Sequence, residues 1–269
     1  MTTATLFYRQ HNLLPYARTT RSDIEAVATA FRSQLGLGSR LDVRAADLAR
    51  VDALQVNSVS FEIWSDLTRT IFDESGTKVP GIFEFLPEIE DDAVNVRVSP
   101  ADESYTTETV LSTFAHELGH AVFEGPALIA SRAARRSLGC TEAVSAYRVI
   151  EGEAARSAAL QSAEALRAEW RANQFMGCLL VPRAELLQTV VQIAERHDFV
   201  VDDAHMILEG PGAGIPRMEC VQEDYLGHLG DLIVDLAERF GVTPHFVRKR
   251  LWHYGLIDEE LARCIPRSG

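Results

Sequence analysis

The apolar residues of this chain change period once, near residue 105, and that switch limits what the chain can fold into. Upstream, Val59, Phe61 and Ile63 alternate with Ser60 and Glu62, and Val94, Val96 and Val98 alternate with Asn95 and Arg97. Alternation of this kind sends successive side chains to opposite faces of a strand. Thr68 to Asp73 and Gly81 to Phe85 read as further strands, with turn residues between them. From Tyr105 the spacing becomes helical: Val110, Leu111, Phe114, Ala115, Leu118, Ala121 and Val122 form one stripe that ends at Gly125 and Pro126. The expectation is an α+β class, with a small, mostly antiparallel sheet and a helix packed on it.

The flanks add helices. Ser22 to Leu35 places Ile24, Val27, Ala28 and Phe31 on one face, with Ser22 or Asp23 as cap and Gly36 or Gly38 as stop. Residues 42–54 read as a second short helix. Residues 127–168 are rich in Ala, Arg, Ser and Glu and poor in apolar side chains, which suits exposed helices or a mobile insertion. A helix over about 163–180 buries Ala172, Phe175, Met176, Leu179 and Leu180 and stops at Pro182; closing helices follow over about 222–257, after a loop at 210–216. With no repeat and no clear linker, 1–269 reads as a single domain.

Composition removes several classes. A chain of 269 residues buries enough surface to fold without disulfides, and Cys140, Cys178, Cys220 and Cys264 form no C-x-x-C pair. They read as free thiols in a reducing cytoplasm. The N-terminus has no continuous apolar stretch of a secretory signal. No apolar run approaches the ~18 residues of a membrane helix. A net charge of −13 repels a phosphate backbone, which disfavours nucleic acid as a partner.

The chemistry is concentrated in His116-Glu117-Leu118-Gly119-His120, an H-E-x-x-H within the helical stripe. Residues four apart on a helix lie about 40° apart around the axis and about 6 Å along it, so His116 and His120 reach one ion while Glu117 points beside it. Zinc (Zn2+) takes neutral imidazole nitrogens and, in catalytic sites, a third protein ligand with a position left for water. An adjacent carboxylate, Glu117, then serves as general base. The metzincin continuation is absent, because Phe123 and Pro126 occupy the places of its Gly and His.

For the third ligand Glu169 stands out. With Ala172, Asn173 and Met176 it shares a helix face whose other members are apolar, and a carboxylate turned to a core needs a charged partner. Asn173, one turn on, would accept a ring N–H from a ligating histidine. The alternatives are that Glu169 pairs with Arg167 or Arg171 at the surface, or that Glu151, Glu153 or Glu164 is the ligand instead.

H-E-L-G-H followed by E-x-x-A-N-x-F-x-x-x-L-L-x-P, here Glu169 to Pro182, resembles the ImmA/IrrE family of zinc metallopeptidases, and Leu236 to Ile257 looks like that family's closing helices. The resemblance implies a gluzincin-like minimal zincin core, zinc on His116, His120 and Glu169, and Glu117 as base. It also implies a protein substrate such as a helix-turn-helix repressor. Glu124 stands where members often carry a further His, which leaves the ligands untouched, and the interval from His120 to Glu169 is longer than usual.

Leu236 to Leu251, with Arg248, Lys249 and Arg250, also reads as a helix-turn-helix, so a DNA-binding regulator with a zincin core as sensor is the alternative function. Arg132 to Arg136 reads as a solvated face. The strand Val94 to Val98 is the candidate to hold an extended substrate by edge pairing. His197, His205, His228 and Tyr225 are candidates to stabilise an oxyanion.

Overall fold

The computed structural model describes residues 2–11, 14–15, 19–85, 92–137, 147–150, 163–206, 216–220 and 225–257. They group into two compact units, 1–38 with 43–179, and 39–42 with 180–269. No linker marks the boundary in sequence, because it falls within the last turn of a helix, between Leu179 and Leu180.

The first unit is built on a mixed sheet. Its strands are β1 (Thr2–Leu6), β4 (Val51–Val56), β5 (Val59–Asp66), β8 (Gly81–Phe85), β9 (Ala93–Val98) and β10 (Tyr147–Ile150), in the order β1-β4-β5-β9-β8-β10. Short pairs β2 (Gln10–His11) with β3 (Leu14–Pro15) and β6 (Ile71–Phe72) with β7 (Lys78–Val79) lie outside it. β1 runs parallel to β4 and β5 parallel to β9, while the other three pairings are antiparallel. The strands expected at Val59 to Ile63, Gly81 to Phe85 and Val94 to Val98 are present, whereas of Thr68 to Asp73 only Ile71–Phe72 is a strand, outside the main sheet, and the α+β class holds at the level of a small open sheet with helices.

Four expectations change. Residues 42–54 hold only a short helix, α2 (Ala45–Leu48), before β4 begins at Val51; Val51, Ala53, Leu54 and Val56 are buried on both faces of the sheet, a pattern with no strict alternation to read. The cap of α1 (Arg21–Gln34) is Thr20, whose hydroxyl accepts the Asp23 N–H while Asp23 accepts the Thr20 N–H. The segment 127–168 is not simply a helical insertion: α4 (Gly125–Ser137) occupies its start, with Pro126 in the first turn, where its missing N–H costs nothing. β10 then joins β8, and residues 138–146 and 151–162 lie outside the described residues. Finally, β9 is not an edge. It pairs with β5 on one side and β8 on the other, so its main-chain groups are not available to an extended substrate.

Two helices carry the candidate site. α3 (Thr107–Phe123) is capped by the Thr106 hydroxyl, which accepts the Thr109 N–H, and its whole apolar stripe from Val110 to Val122 is buried. It packs against β8 and β9. α5 (Ala163–Leu180) crosses α3 where Gly119 meets Ala172: a Cβ on Gly119 would lie 2.8 Å from the Ala172 Cα. The rotation of the pair is set by Phe123 and Phe175, edge to face at 5.9 Å, with Phe31 of α1 against Phe175 at 5.6 Å. Each such pair contributes about 0.5–1.5 kcal/mol beyond the area it buries.

The second unit contains α6 (Arg183–Ile193), a 3-10 turn over Ala194–His197, β11 (Phe199–Met206) paired with β12 (Pro216–Cys220), α7 (Tyr225–Phe240) and α8 (Pro244–His253). No described helix is long and apolar enough to cross a membrane. Cys178 is buried and forms no disulfide; the side chains of Cys140, Cys220 and Cys264 lie outside the described residues.

Because the α3 and α5 backbones touch at Gly119, Gly119→Ala should destabilise the fold by about 1–3 kcal/mol. Thermal unfolding of the metal-free chain checks this, and a Tm equal to the parent would show that the crossing relaxes freely.

Candidate metal centre

His116 and His120 lie one turn apart on the buried face of α3, and Glu169 comes to them from α5. The three offer ligand atoms that all lie within 4.8 Å of one another. His116 Nε2 is 3.1 Å from His120 Nε2, Glu169 Oε2 lies 3.5 Å from His116 Nε2, and Glu169 Oε1 lies 3.5 Å from His120 Nε2. An ion held tetrahedrally at ~2.0–2.1 Å has ligand atoms roughly 3.3–3.4 Å apart along each edge. The contacts, with one Glu169 oxygen turned to each imidazole, are close to those edges, so the donor set can hold a metal ion.

The exposure of the donors is unequal. The histidine side chains are 2% and 0% exposed, whereas that of Glu169 is 37% exposed. The cluster is therefore closed by protein on the histidine side and open to solvent beside Glu169. Three protein donors with an open side are the arrangement of sites that keep a position for water.

β8 forms the closed wall. Phe83 stacks on the His120 ring, with centroids 6.1 Å apart and planes 22° from parallel. Gly81 passes over Glu117: a Cβ there would collide with the Thr113 methyl and stand 3.2 Å from Glu117 Oε1. Glu117 is wholly buried, next in sequence to the first ligand candidate. Gly81 escaped the sequence reading, since a glycine in a strand shows the need for close approach only once its neighbour is known.

Glu124, the C-cap of α3, completes a column with His116 and His120 at four-residue steps. Its Oε2 lies 3.1 Å from His120 Nδ1. Its Oε1 accepts two N–H groups of Arg171, from Nε at 3.2 Å and from a terminal nitrogen at 2.8 Å. That same terminal nitrogen donates to Glu164 at 2.9 Å. Glu124 and Arg171 are both buried. Arg171 thus pairs with Glu124 and Glu164, not with Glu169. Glu164 is committed to Arg171 and Arg167, and Glu151 and Glu153 lie outside the described residues.

Asn173 does not do what its spacing suggested. Its amide donates to the Glu169 main-chain carbonyl at 2.8 Å, and the residue is exposed. A short side chain one turn along the same helix reaches back to its own backbone more readily than across to α3. The carboxylate that faces a ring nitrogen of a ligand candidate is Glu124, at His120 Nδ1, a position that in the sequence stands out only as a departure from the family pattern. The detectable signal was a carboxylate exactly one turn beyond a ligand histidine, on the same face.

Charge in the cluster is self-consistent. Burial disfavours the His120 imidazolium, but hydrogen bonds and charge from Glu124 and Glu169 outweigh it and raise the pKa to about 9. Burial opposes ionisation of Glu169, yet hydrogen bonds and charge from His116 and His120 prevail and hold its carboxyl far below the ordinary range. Of the oxyanion candidates, His197 pairs with Asp235 at 3.2 Å and His228 with Asp198 at 3.3 Å, while Tyr225 packs edge-on to Phe199, all within the second unit. The side chain of His205 is outside the described residues.

Compared with known proteins, the chain matches no family model and no curated protein.

Two outcomes follow for metal binding. Elemental analysis should find about one ion per chain, lost in both His116→Ala and Glu169→Ala. Since an ion needs Nε2 of His120 without its proton, binding releases that proton at any pH below about 9. Affinity should therefore weaken by up to about tenfold for each unit by which pH falls below that value, and calorimetry in buffers of different ionisation enthalpy should count about one proton released at pH 7.

Proposed function

We propose that the chain is a zinc-dependent endopeptidase with a gluzincin-like minimal zincin core, of the ImmA/IrrE kind. The observation that carries this reading is the convergence of His116, His120 and Glu169, with a Glu169 oxygen 3.5 Å from each Nε2 and the two Nε2 atoms 3.1 Å apart, beside the buried carboxylate of Glu117. Two imidazoles and one carboxylate form a donor set that zinc favours, as found in hydrolytic sites with a free position.

Zinc bound there supplies Lewis acidity that polarises a peptide carbonyl and makes water nucleophilic near neutral pH. The remaining work falls to the chain. Glu117 takes the proton from the attacking water and delivers it to the leaving amine nitrogen, so the same carboxylate acts as base and then as acid. Gly81 keeps the backbone of β8 close over Glu117, which limits the positions its carboxylate can take. The open side beside Glu169 is where a substrate chain approaches. The substrate is a protein, such as a helix-turn-helix repressor, met in the cytoplasm.

The alternative, a DNA-binding regulator, rests on the helix-turn-helix pattern of Leu236 to Leu251, with Arg248, Lys249 and Arg250 of α8 as its local positive charge. Arg248 and Arg250 are buried, and Lys249 is exposed. Arg248 donates to His245 Nδ1 at 2.7 Å, and Arg250 donates to the Tyr254 hydroxyl, which itself donates to the Val181 carbonyl at 3.3 Å. Charges spent on internal packing are not presented to phosphates, which supports a packing role for these helices.

The test is cleavage of fluorescence-quenched peptides and of a purified helix-turn-helix repressor by the zinc-loaded chain. Glu117→Gln should keep its zinc and lose turnover by about 10²–10⁴-fold. Full turnover in that variant would overturn the assigned role, and sequence-specific DNA binding at physiological salt without cleavage would favour the regulator.

A further inference from the structure

The contacts of Glu124 go further than holding the end of a helix. Its carboxylate is divided: Oε1 is taken by two N–H groups of Arg171, and Oε2 faces His120 Nδ1 at 3.1 Å. His120 Nε2 is on the other side of the ring, in the donor triangle. A neutral imidazole carries one proton, and the nitrogen that donates it cannot also bind a metal. A carboxylate at Nδ1 only accepts, so it keeps the proton there and leaves the Nε2 lone pair for the ion.

We infer that Glu124 and Arg171 act together as the positioning unit that selects the metal-binding tautomer of His120. This rests on the proposed metal site, and it assigns to the two residues a role that neither the H-E-x-x-H motif nor the third ligand requires. Arg171 matters because it fixes which oxygen is left. Its Nε and one terminal nitrogen both donate to Oε1, and the guanidinium is itself anchored by donating to Glu164 at 2.9 Å, which holds the carboxylate with Oε2 toward His120. Glu124 and Arg171 are both buried, so water does not substitute readily for either partner.

The geometry yields an asymmetric prediction. In Glu124→Gln, Arg171 continues to demand an acceptor and claims the amide oxygen. The amide NH2 group is then left facing His120 Nδ1, where it donates and drives the ring proton to Nε2. The isosteric variant should bind zinc about 10–100-fold more weakly, the range for loss of a ligand's hydrogen-bond partner. Adding Arg171→Met frees the amide to turn its oxygen to His120, and affinity should recover most of the loss. Arg171→Met alone, which loosens the carboxylate, should not strengthen binding.

The experiment is a zinc competition titration with a chromophoric chelator at one pH, on the parent, the two single variants and the double variant. It is paired with nitrogen-15 NMR of the zinc-loaded histidines, which reports directly whether His120 Nδ1 carries the proton. Recovery confined to the Glu124→Gln background, with an Nδ1–H signal in the parent, supports the inference. An equal gain on removing Arg171 in both backgrounds would show that only local charge matters and would overturn it. So would unchanged affinity in Glu124→Gln. A parent chain that takes up no zinc would instead overturn the metal-site reading itself, a result distinct from the other two.

Discussion

The approach of two helix backbones at Gly119 and Ala172 is the constraint on which the site depends. His116 and His120 ride on one helix and Glu169 on the other, so their separations are set by how far apart α3 and α5 stand. With a would-be Cβ at 2.8 Å from the Ala172 Cα, there is no space for a larger residue at Gly119 without moving a helix. A shift of even about one ångström would take a 3.5 Å edge out of the range a single ion can bridge. The aromatic contacts of Phe123, Phe175 and Phe31 then keep the pair from rotating about that point.

The sheet determines the other half of the environment. β8 lies between β9 and β10, and its inward residues meet the reactive groups in order, Gly81 at Glu117 and Phe83 at His120. Water is excluded from one side while Glu169 keeps the other open. Such a wall strengthens each electrostatic interaction it covers, and the Glu124 and Glu169 carboxylates that face the two nitrogens of His120 raise its pKa despite complete burial. The acidic surplus of the chain is thus locally useful, since Glu124 and Glu169 provide the negative charge that a divalent ion also requires.

Several elements were legible from residue pattern because one face of each is buried and the other is not. α1, β5 and β9 show that contrast at Ile24, Val27 and Phe31, at Phe61 and Ile63, and at Val94, Val96 and Val98, which are buried, whereas α3 was legible from the helical spacing of its apolar stripe although every residue from Thr113 to Phe123 is buried. β4 was not legible, because it is apolar on both faces and a strand of that kind looks like part of a helix. β1 and β10 depend on partners far along the chain, with nothing local to announce them. In the site, the H-E-x-x-H pair and Glu169 could be read from helical spacing and from a carboxylate on an apolar face. Asn173 could not be placed, since the same spacing allows it to bond its own helix. Arg171 was equally ambiguous, being close in sequence to several acids.

What the sequence by itself determined is whatever 3.6 residues per turn and the choice of side chains settle within one helix: that His116, His120 and Glu124 form a column, and that Glu117 lies beside it. Only the tertiary structure decided which of several acids would join the column, which partner Arg171 would take, and whether β9 would be an edge or an interior strand. The physical reason is one of range. Contacts within a helix follow from bond geometry over a few residues, whereas the meeting of α3, α5 and β8 follows from burial and close packing of the whole unit, in which single side chains such as Gly119, Ala172 and Gly81 count only against the neighbours that folding brings to them.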